Sequence, residues 1–411
     1  MNKAHAARQR KLPLPSLLDP PIRFRPKWSL HKPAQSIPAS PVGLSPVSPQ
    51  RFGLRPGGTL TPFSPEQSKK NGVALARQLT QSKGHLRTLS NQFPDLQSNL
   101  MRQPTKPALF DNVVTSCAYK TRTGESSGRP KKQNQDAYII SHLFGSTQGQ
   151  YLFAVCDGHG LYGHEVSGFL KEYLPKLISV SYMTTESNFG HRLESALEDG
   201  FRKVVTKLRK SHIDIAFSGS TCVAVVVQGR TLLCANVGDS RAILLRKESR
   251  DWQCIALSTD HKPDDHTEQM RIISKGGRVS PFRGPRGEPF GPARVWLLND
   301  DIPGLAMSRS IGDLVASSVG VSQDPQILQH TLTPDDKMVI IGSDGLWEFM
   351  SNEEVMRVAS GYWATADLEG CCERLVSEAL GKWRRQEDGI DDITVVVAFL
   401  QVPDSPLPNF P

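Results

Sequence analysis

Short apolar runs separated by polar turns recur from residue 113 to residue 400. The clearest run, Tyr151 to Val155, is too short for a typical helix and consists of residues that suit a pleated surface, so it predicts a buried strand. The same pattern predicts further strands at 113–119, 137–140, 221–227, 232–237, 241–245, 255–257, 338–342 and 393–400.

A second periodicity, with apolar residues three and four positions apart, predicts helices between these strands. It is present at 165–182, 191–209, 267–275 and 368–383. The tetrapeptide 351–354 reads Ser-Asn-Glu-Glu, a capping box that predicts the start of one more helix. Residues 280–293 are rich in Gly, Pro and Arg, so we expect a loop there, long enough to form a surface flap that shapes selectivity.

The order of these elements predicts the fold class. Strands joined by tight turns indicate antiparallel pairing. The helices come in pairs between blocks of strands, and the strands are apolar throughout, which indicates sheets that are covered on both faces. We therefore predict an α+β fold in which two packed antiparallel sheets are flanked by helices, as one domain spanning 108–402.

Residues 1–107 differ in composition from the rest of the chain. Thirteen of the 30 prolines lie before residue 66, Ser is frequent, and apolar periodicity is absent. Such a segment cannot bury enough apolar surface to offset its ordering entropy, so we predict a disordered extension over 1–107 and a short tail over 403–411. Several Ser-Pro and Thr-Pro pairs in the extension are either sites for proline-directed kinases or ordinary features of a Pro/Ser-rich segment.

The positive charge is concentrated in this extension. Residues 1–70 contain twelve Lys and Arg and two acids, so the net charge of +8 for the whole chain leaves −2 for the remainder. We expect the extension to bind an acidic partner, such as a polymer lattice, a membrane surface or a nucleic acid. Its basic segments, 3–11 and 23–32, contain only two aromatic residues, Phe24 and Trp28, which gives little support for stacking on nucleic-acid bases, so the sequence indicates no clear nucleic-acid site.

Other features bear on the cellular compartment. The sequence contains no apolar run long enough to span a membrane and no apolar signal core, and Asn2 excludes N-myristoylation. The seven cysteines are an odd number and form no Cys-x-x-Cys pair, which argues against a disulfide framework or a zinc site. We expect an intracellular monomer in the cytoplasm or nucleus; an organellar transit peptide is the weaker alternative, because prolines interrupt any amphipathic helix.

Candidate chemistry lies at the ends of the predicted strands. Four of them meet an aspartate, usually beside glycine: Asp157, Asp239, Asp344 and Asp391. A fifth, Asp136, begins its strand. One such terminus is an ordinary turn, and some of these residues could be no more than turn aspartates, but five of them favour a shared site.

Clustered carboxylates repel one another unless cations lie between them. Hard oxygen ligands without nearby cysteine indicate Mg²⁺ or Mn²⁺ and argue against Zn²⁺. Two such ions at about 3.5–4 Å can lower the pKa of a shared water and position a phosphoryl group for in-line attack. The pattern therefore fits a centre of this kind, and a set of ordinary turn aspartates is the alternative.

Eight motifs resemble those of the protein phosphatase 2C family of metal-dependent serine/threonine phosphatases, and they occur in the family's order. They are KKQNQD (131–136), FAVCDGHG (153–160), SGSTC (218–222), ANVGDSR (235–241), TDHKP (259–263), GLAMSRSIGD (304–313), IGSDGLW (341–347) and DDIT (391–394). The resemblance covers residues 110–402 and leaves the extension out. It implies a four-layer αββα sandwich and the hydrolysis of phosphoserine and phosphothreonine in protein substrates.

The resemblance implies the metal ligands residue by residue. Asp157 would bridge two Mg²⁺ or Mn²⁺ ions, with the carbonyl of Gly158 as a further ligand. Asp344 and Asp391 would complete the ligands of the first ion, and Asp136 would hold the waters of the second. A hydroxide bridging the two ions would attack phosphorus directly, without a covalent enzyme intermediate.

The family's pattern also implies roles for residues around the two ions. Asp239 would bind a weaker third ion, with Glu348 as a further candidate ligand. His159 would act as the general acid that protonates the leaving serine or threonine oxygen, a task that suits imidazole near neutral pH. Lys131 stands where many members have a phosphate-binding arginine. The alternative for His159 is a hydrogen bond to a metal-bound water.

Three positions depart from the family's pattern. Lys131 offers a point charge in place of a bidentate fork, so we expect phosphate to be held less tightly. Gln135 replaces a glutamate that many members use on the second ion, and Asp392 replaces a frequent asparagine. For Arg309 and Asp313 we expect a structural ion pair within one loop in preference to a catalytic role.

Two other functions compete with this interpretation. A pseudophosphatase would keep the fold and bind partners, but it is expected to have lost the metal-binding acids, and Asp136, Asp157, Asp344 and Asp391 are all present. A protein whose function is binding or scaffolding through its basic extension would keep that function without catalysis. Removal of residues 1–107 separates these alternatives.

Overall fold

The computed structural model describes residues 111–142, 149–185, 189–284 and 286–404. The predicted extension over 1–107 and nearly all of the predicted tail over 403–411 lie outside these residues and remain predictions. No helix within the described ranges is both long and apolar enough to cross a membrane.

Strands and helices fill most of the described part of the chain. The strands are β1 (Val114–Arg122), β2 (Glu125–Ser126), β3 (Arg129–Pro130), β4 (Asp136–His142), β5 (Gln150–His159), β6 (Gly219–Ser220), β7 (Cys222–Gln228), β8 (Thr231–Val237), β9 (Arg241–Glu248), β10 (Asp251–Ala256), β11 (Gly277–Arg283), β12 (Pro289–Leu297), β13 (Pro303–Leu305), β14 (Ile311–Gly312), β15 (Gln326–Thr331), β16 (Asp336–Gly342) and β17 (Ile393–Leu400). The helices are α1 (Gly163–Thr184), α2 (Phe189–Leu208), α3 (His266–Ser274), α4 (Leu314–Ser317), α5 (Asp344–Trp347), α6 (Asn352–Trp363) and α7 (Leu368–Gln386).

Two antiparallel sheets form the centre of the fold. The first has the strand order β1-β17-β16-β9-β10. In the second, β5 pairs with β4 and β7, β8 and β15 follow β7, and the short strands β6 and β14 continue from the end of β5. The neighbouring strands in both sheets run antiparallel, as the tight turns predicted.

Three apolar layers hold these elements together. Phe153 and Ile341 belong to the layer between the two sheets. Leu170 of α1 and Leu197 of α2 pack on the outer face of the second sheet. Leu375 of α7, together with residues of α6, covers the outer face of the first sheet. The resulting helix–sheet–sheet–helix order confirms the predicted αββα sandwich and explains why the central strands are apolar on both faces.

The capping box predicted at 351–354 opens helix α6. The hydroxyl of Ser351 accepts a hydrogen bond from the backbone N–H of Glu354 at 3.2 Å, and the Glu354 carboxylate accepts one from the backbone N–H of Ser351 at 3.0 Å. Backbone N–H groups in the first turn of a helix lack partners within the helix, so this exchange fixes where α6 begins.

The predicted loop at 280–293 is wrong, because this segment forms most of an antiparallel hairpin of β11 and β12. The register shifts between Ser280 and Phe282, and Pro281, which has no N–H to donate, sits at that irregularity. Trp296 closes the hairpin: its Nε1–H donates to the Ser280 carbonyl at 2.8 Å, and its ring meets Phe282 edge to face at 5.1 Å. The hairpin thus accommodates proline and glycine at a bulge. The prediction of a loop rested on composition alone, which does not distinguish a bulged hairpin from a loop.

A buried ion pair ties β16 to β9 in the first sheet. Asp336 is fully buried and accepts hydrogen bonds from Arg246 Nε at 2.9 Å and from the Thr333 N–H at 2.8 Å. Burial raises the pKa of Asp336, but the hydrogen bonds from Arg246 and Thr333 outweigh it and hold the pKa below its usual range. The ionised carboxylate therefore stabilises the folded state.

We predict that Asp336→Asn lowers the free energy of unfolding at pH 7 by about 3 kcal/mol, since Arg246 loses its buried counter-charge. The pKa of Asp336 is lower in the folded than in the unfolded chain, so this stabilisation is complete above about pH 4 and is lost as the pH falls further. Urea unfolding at pH 7 and pH 3 measures both effects. A deficit that is equal at the two pH values would contradict an electrostatic origin.

Candidate metal centre and active site

The five predicted metal-binding aspartates lie on strands that end or begin at one edge of the sandwich. Asp136 begins β4 and is the ladder partner of Asp157 near the end of β5. Asp344 follows β16, Asp391 precedes its neighbour β17, and Asp239 lies in the turn that leads into β9, the other neighbour of β16. In an antiparallel pair the end of one strand lies beside the start of the next, so pairing brings these carboxylates together.

The electrostatics of this cluster match its crowding. The pKa of Asp136 is raised to about 7. Burial is the largest cause, and neighbouring carboxylates raise the pKa further. Burial likewise raises the pKa of Asp157 and of Asp344 well above the usual range, and each is raised further by other carboxylates of the cluster. Without a counter-charge these carboxyl groups resist ionisation. A bound cation would stabilise their ionised form.

Several oxygen atoms of the cluster fit a hard cation. Oδ1 of Asp136, of Asp239 and of Asp344 is buried and has no hydrogen-bond partner among the described residues. Buried polar atoms in proteins nearly always have a partner, and carboxylate oxygens are the ligands that Mg²⁺ and Mn²⁺ prefer. The described ranges contain no group of three His, Cys, Asp or Glu side chains that is already arranged to hold an ion.

Two lysines lie beside these carboxylates. The Lys131 ammonium donates to Asp391 Oδ1 and lies 3.8 Å from Asp392 Oδ2. Burial lowers the pKa of Lys131, but Asp391 and Asp392 raise it by more, so the side chain stays cationic. Lys262, which the sequence analysis missed, donates to Asp239 Oδ2 at 2.5 Å. Its place in the TDHKP motif was the signal that could have found it.

His159 lies at the end of β5, on the same edge as the carboxylates. Its Nε2 atom is 2.6 Å from Oδ2 of Asp313. Burial lowers the pKa of His159, but Asp313 raises it by more, and Asp239 and Asp344 add to the rise. The structure thus brings His159 together with three acids, Asp313, Asp239 and Asp344, of which the last two are predicted metal ligands.

The expected ion pair between Arg309 and Asp313 is wrong. Arg309 Nη2 instead donates to Glu268 Oε1 at 2.9 Å, and the hydroxyl of Ser308 donates to Glu268 Oε2 at 2.6 Å. Burial raises the pKa of Glu268, but hydrogen bonds from Arg271, Arg309 and Ser308 lower it well below the usual range. The Asp313 carboxylate contacts His159 and Ser310 instead, and its backbone adopts the left-handed conformation, with φ of 43°.

Comparison with known proteins agrees with this geometry. The family model described as Protein phosphatase 2C matches residues 122–386, which is more than half of the chain. The chain belongs to the protein phosphatase 2C family. It is accordingly a protein serine/threonine phosphatase, and the family resemblance read from the eight motifs is confirmed.

Relatives of this phosphatase share most of their length with it. It is similar to "Probable protein phosphatase 2C 72" of Arabidopsis thaliana, with 35% identity over 286 residues that cover 67% of this chain and 84% of the relative. "Probable protein phosphatase 2C 35" of the same plant is 32% identical over 302 residues, covering 70% and 84%. A serine-threonine phosphatase 2C from Toxoplasma gondii has the same fold, with a TM-score of 0.59, 21% identity and coverage of 72% of this chain and 97% of that one.

Two departures from the family's pattern have specific contacts in this phosphatase. The side chain of Gln135 donates through Nε2 to the carbonyl of Gly160 at 2.8 Å, so it ties the loop before β4 to the end of β5. Asp392 accepts the backbone N–H groups of Gly124 at 2.7 Å and Gln135 at 2.8 Å through its two oxygens. An asparagine offers one oxygen and could accept only one of them well, so the aspartate suits this junction.

Two hydroxyl groups form hydrogen bonds with the predicted metal-binding aspartates of this phosphatase. The Ser343 hydroxyl donates to Asp136 Oδ2 at 2.9 Å, linking the end of β16 to the start of β4. Thr221 accepts the backbone N–H of Asp157 through Oγ1 at 3.0 Å. Sequence reasoning missed both roles, although both residues lie inside the motifs that carry the resemblance.

Gly158 allows three backbone segments to meet under the site. Its N–H donates to the Gln135 carbonyl at 3.1 Å. A Cβ atom at this position would lie 2.3 Å from the Gly163 carbonyl oxygen and 2.6 Å from the Gln135 carbonyl oxygen. Backbone atoms cannot move aside cheaply, so only glycine permits this approach.

We predict that Gly158→Ala lowers the free energy of unfolding by about 1–3 kcal/mol, the usual cost of overpacking. It is also expected to reduce turnover, because the strand must shift beside Asp157. Thermal unfolding and hydrolysis of p-nitrophenyl phosphate measure these two effects.

Gly168→Ala is the matched control. Gly168 lies in α1 with no atom within 4 Å of a Cβ built there, so alanine should stabilise the helix by up to about 1 kcal/mol without loss of turnover. If Gly158→Ala behaved like this control, close packing under the site would not be what requires glycine at position 158.

Proposed function

We propose that this phosphatase hydrolyses phosphoserine and phosphothreonine in proteins with two divalent cations, Mg²⁺ or Mn²⁺, held by the acidic cluster. The observation that carries the proposal is the set of buried carboxylate oxygens without partners in Asp136, Asp239 and Asp344, within the described part of the chain. When bound, the cations would lower the pKa of a shared water and neutralise the charge of the phosphoryl group.

Each acid has a distinct task in this proposal. Asp157 would be shared by both cations, with the Gly158 carbonyl beside it. Asp344 and Asp391 would hold the first cation and Asp136 the second. The contacts support this division, since Asp136 and Asp157 are ladder partners and the other two acids flank neighbouring strands.

Three further residues would serve the cluster. Asp239 would hold a weaker third cation. Lys131 would contact the phosphate with its ammonium, which stays charged beside Asp391. His159 would donate a proton to the serine or threonine oxygen as the P–O bond breaks, so that a neutral alcohol leaves.

We predict that Asp344→Asn lowers the turnover of a phosphothreonine peptide by about 10²-fold or more, because a cation that stabilises the phosphoryl charge contributes several kcal/mol. A chelator should abolish turnover of the unaltered chain, and added Mn²⁺ or Mg²⁺ should restore it. Titration calorimetry with Mn²⁺ should show weaker binding to the variant.

Asp300→Asn is the control for this substitution, since Asp300 is exposed in the turn between β12 and β13. It should retain Mn²⁺ binding and turnover. Turnover that persists in chelator, or in Asp344→Asn at the unaltered rate, would contradict the two-cation proposal. Absence of turnover in the unaltered chain with either cation would favour a pseudophosphatase.

The basic extension calls for a separate test of the binding alternative. Removal of residues 1–107 is expected to leave turnover of p-nitrophenyl phosphate intact, because the described core lies beyond it. The shortened protein should be retained less on a heparin column, heparin being a model acidic polymer. The salt dependence of its retention should fall as well. Loss of turnover in the shortened chain would place the domain boundary elsewhere.

A further inference from the structure

The contact between His159 and Asp313 is the closest that the imidazole makes to an acid. Oδ2 of Asp313 lies 2.6 Å from His159 Nε2 and accepts a second hydrogen bond, also of 2.6 Å, from the Ser310 hydroxyl. Asp313 is only 3% exposed. A carboxylate this well buried needs partners, and a histidine and a hydroxyl supply them.

The backbone around Asp313 fixes where its carboxylate lies. The residue adopts the left-handed conformation, and its N–H donates to the Ser218 carbonyl at 3.0 Å. Gly219 forms the opposite wall: a Cβ atom there would lie 2.1 Å from Asp313 Oδ2. The carboxylate therefore has little freedom to move away from the imidazole.

The loop that carries Asp313 is also held at its other end. Glu268 of α3 accepts hydrogen bonds from Ser308 and Arg309, five and four residues before Asp313. Because both ends of this loop are fixed, Asp313 has the rigid support that a group needs in order to orient another side chain.

The second imidazole nitrogen is in a different situation. His159 Nδ1 is buried and has no hydrogen-bond partner among the described residues. Asp239 and Asp344 lie close enough to the ring to interact with it electrostatically. A hydrogen bond at one ring nitrogen decides which nitrogen is left for chemistry.

We propose that Asp313 is a positioning residue for the phosphatase reaction. It accepts the Nε2–H of His159 and thereby orients the ring so that Nδ1 carries the proton delivered to the leaving group. As the oxygen of the attacking water bonds to phosphorus, the P–O ester bond breaks. The electron pair of that bond stays on the alcohol oxygen, which takes the proton from Nδ1. The ring is left neutral with its proton on Nε2, still bound to Asp313. This inference rests on the proposed role of His159 as the proton donor.

The test is Asp313→Asn, since asparagine tolerates the left-handed backbone and has nearly the same shape. Its amide group can present N–H to the imidazole and favour the wrong tautomer. Protonation of the leaving group matters for the alkoxide of a phosphothreonine peptide and much less for 2,4-dinitrophenolate. We expect kcat to fall by about 10²-fold on the peptide, the usual size of general acid catalysis, with a far smaller fall on 2,4-dinitrophenyl phosphate and with little change in KM or Mn²⁺ binding.

A second comparison asks whether Asp313 acts through His159. His159→Gln should show the same dependence on the leaving group, and adding Asp313→Asn to it should cause little further loss. Asp336→Asn is the matched control: it removes another buried carboxylate and destabilises the fold, yet it should not change the ratio of the two rates.

The outcomes are separable. Equal losses on both substrates, or losses that multiply in the double variant, would overturn the positioning role of Asp313. If His159→Gln itself showed no dependence on the leaving group, the proposed role of His159 would fail first. If Asp313→Asn did not fold, Gly219→Ala, which displaces the same carboxylate from the other side, must show the leaving-group dependence, and its absence would overturn the inference.

Discussion

Repulsion among carboxylates that the fold forces together is the constraint on which the rest of this phosphatase depends. Asp136, Asp157 and Asp344 are half-buried where strands of both sheets meet, and desolvation raises the pKa of each. Only a well-packed scaffold can hold such groups close, since their repulsion opposes folding. The apolar layer between the sheets and the two outer helical layers supply that scaffold. Apolar packing in the core thus holds the repelling carboxylates together at one edge of the sandwich, where they attract positive charge.

Much of this arrangement could be predicted from the sequence because it follows from periodicity. Runs such as Tyr151 to Val155 are apolar on both faces, and the acids stand at the strand ends where antiparallel pairing gathers them. The hairpin at 280–293 could not be predicted, because a bulge absorbs Pro281 and composition does not report pairing.

The partner of Asp313 could not be predicted either. An ion pair with Arg309 within one loop was expected, but the Asp313 carboxylate contacts His159 and Ser310, and its backbone is left-handed. Glu268, the partner that Arg309 takes instead, lies 41 residues away along the chain. Spacing along the chain predicts contacts within regular helices and strands. It fails where a residue adopts an unusual backbone conformation, and such residues are frequent near functional sites.

The pairing of β1 with β17 joins residues that are far apart in sequence, with Val114 opposite Leu400. At the same junction, Asp392 receives the backbone N–H groups of Gly124 and Gln135, next to the predicted ligands Asp391 and Asp136. A chain emerging from the ribosome cannot make these contacts until the codons for β17 have been translated. Contacts of such long range also form late and slowly in folding. Nascent chains and prematurely terminated products that lack β17 therefore also lack these contacts at the catalytic edge.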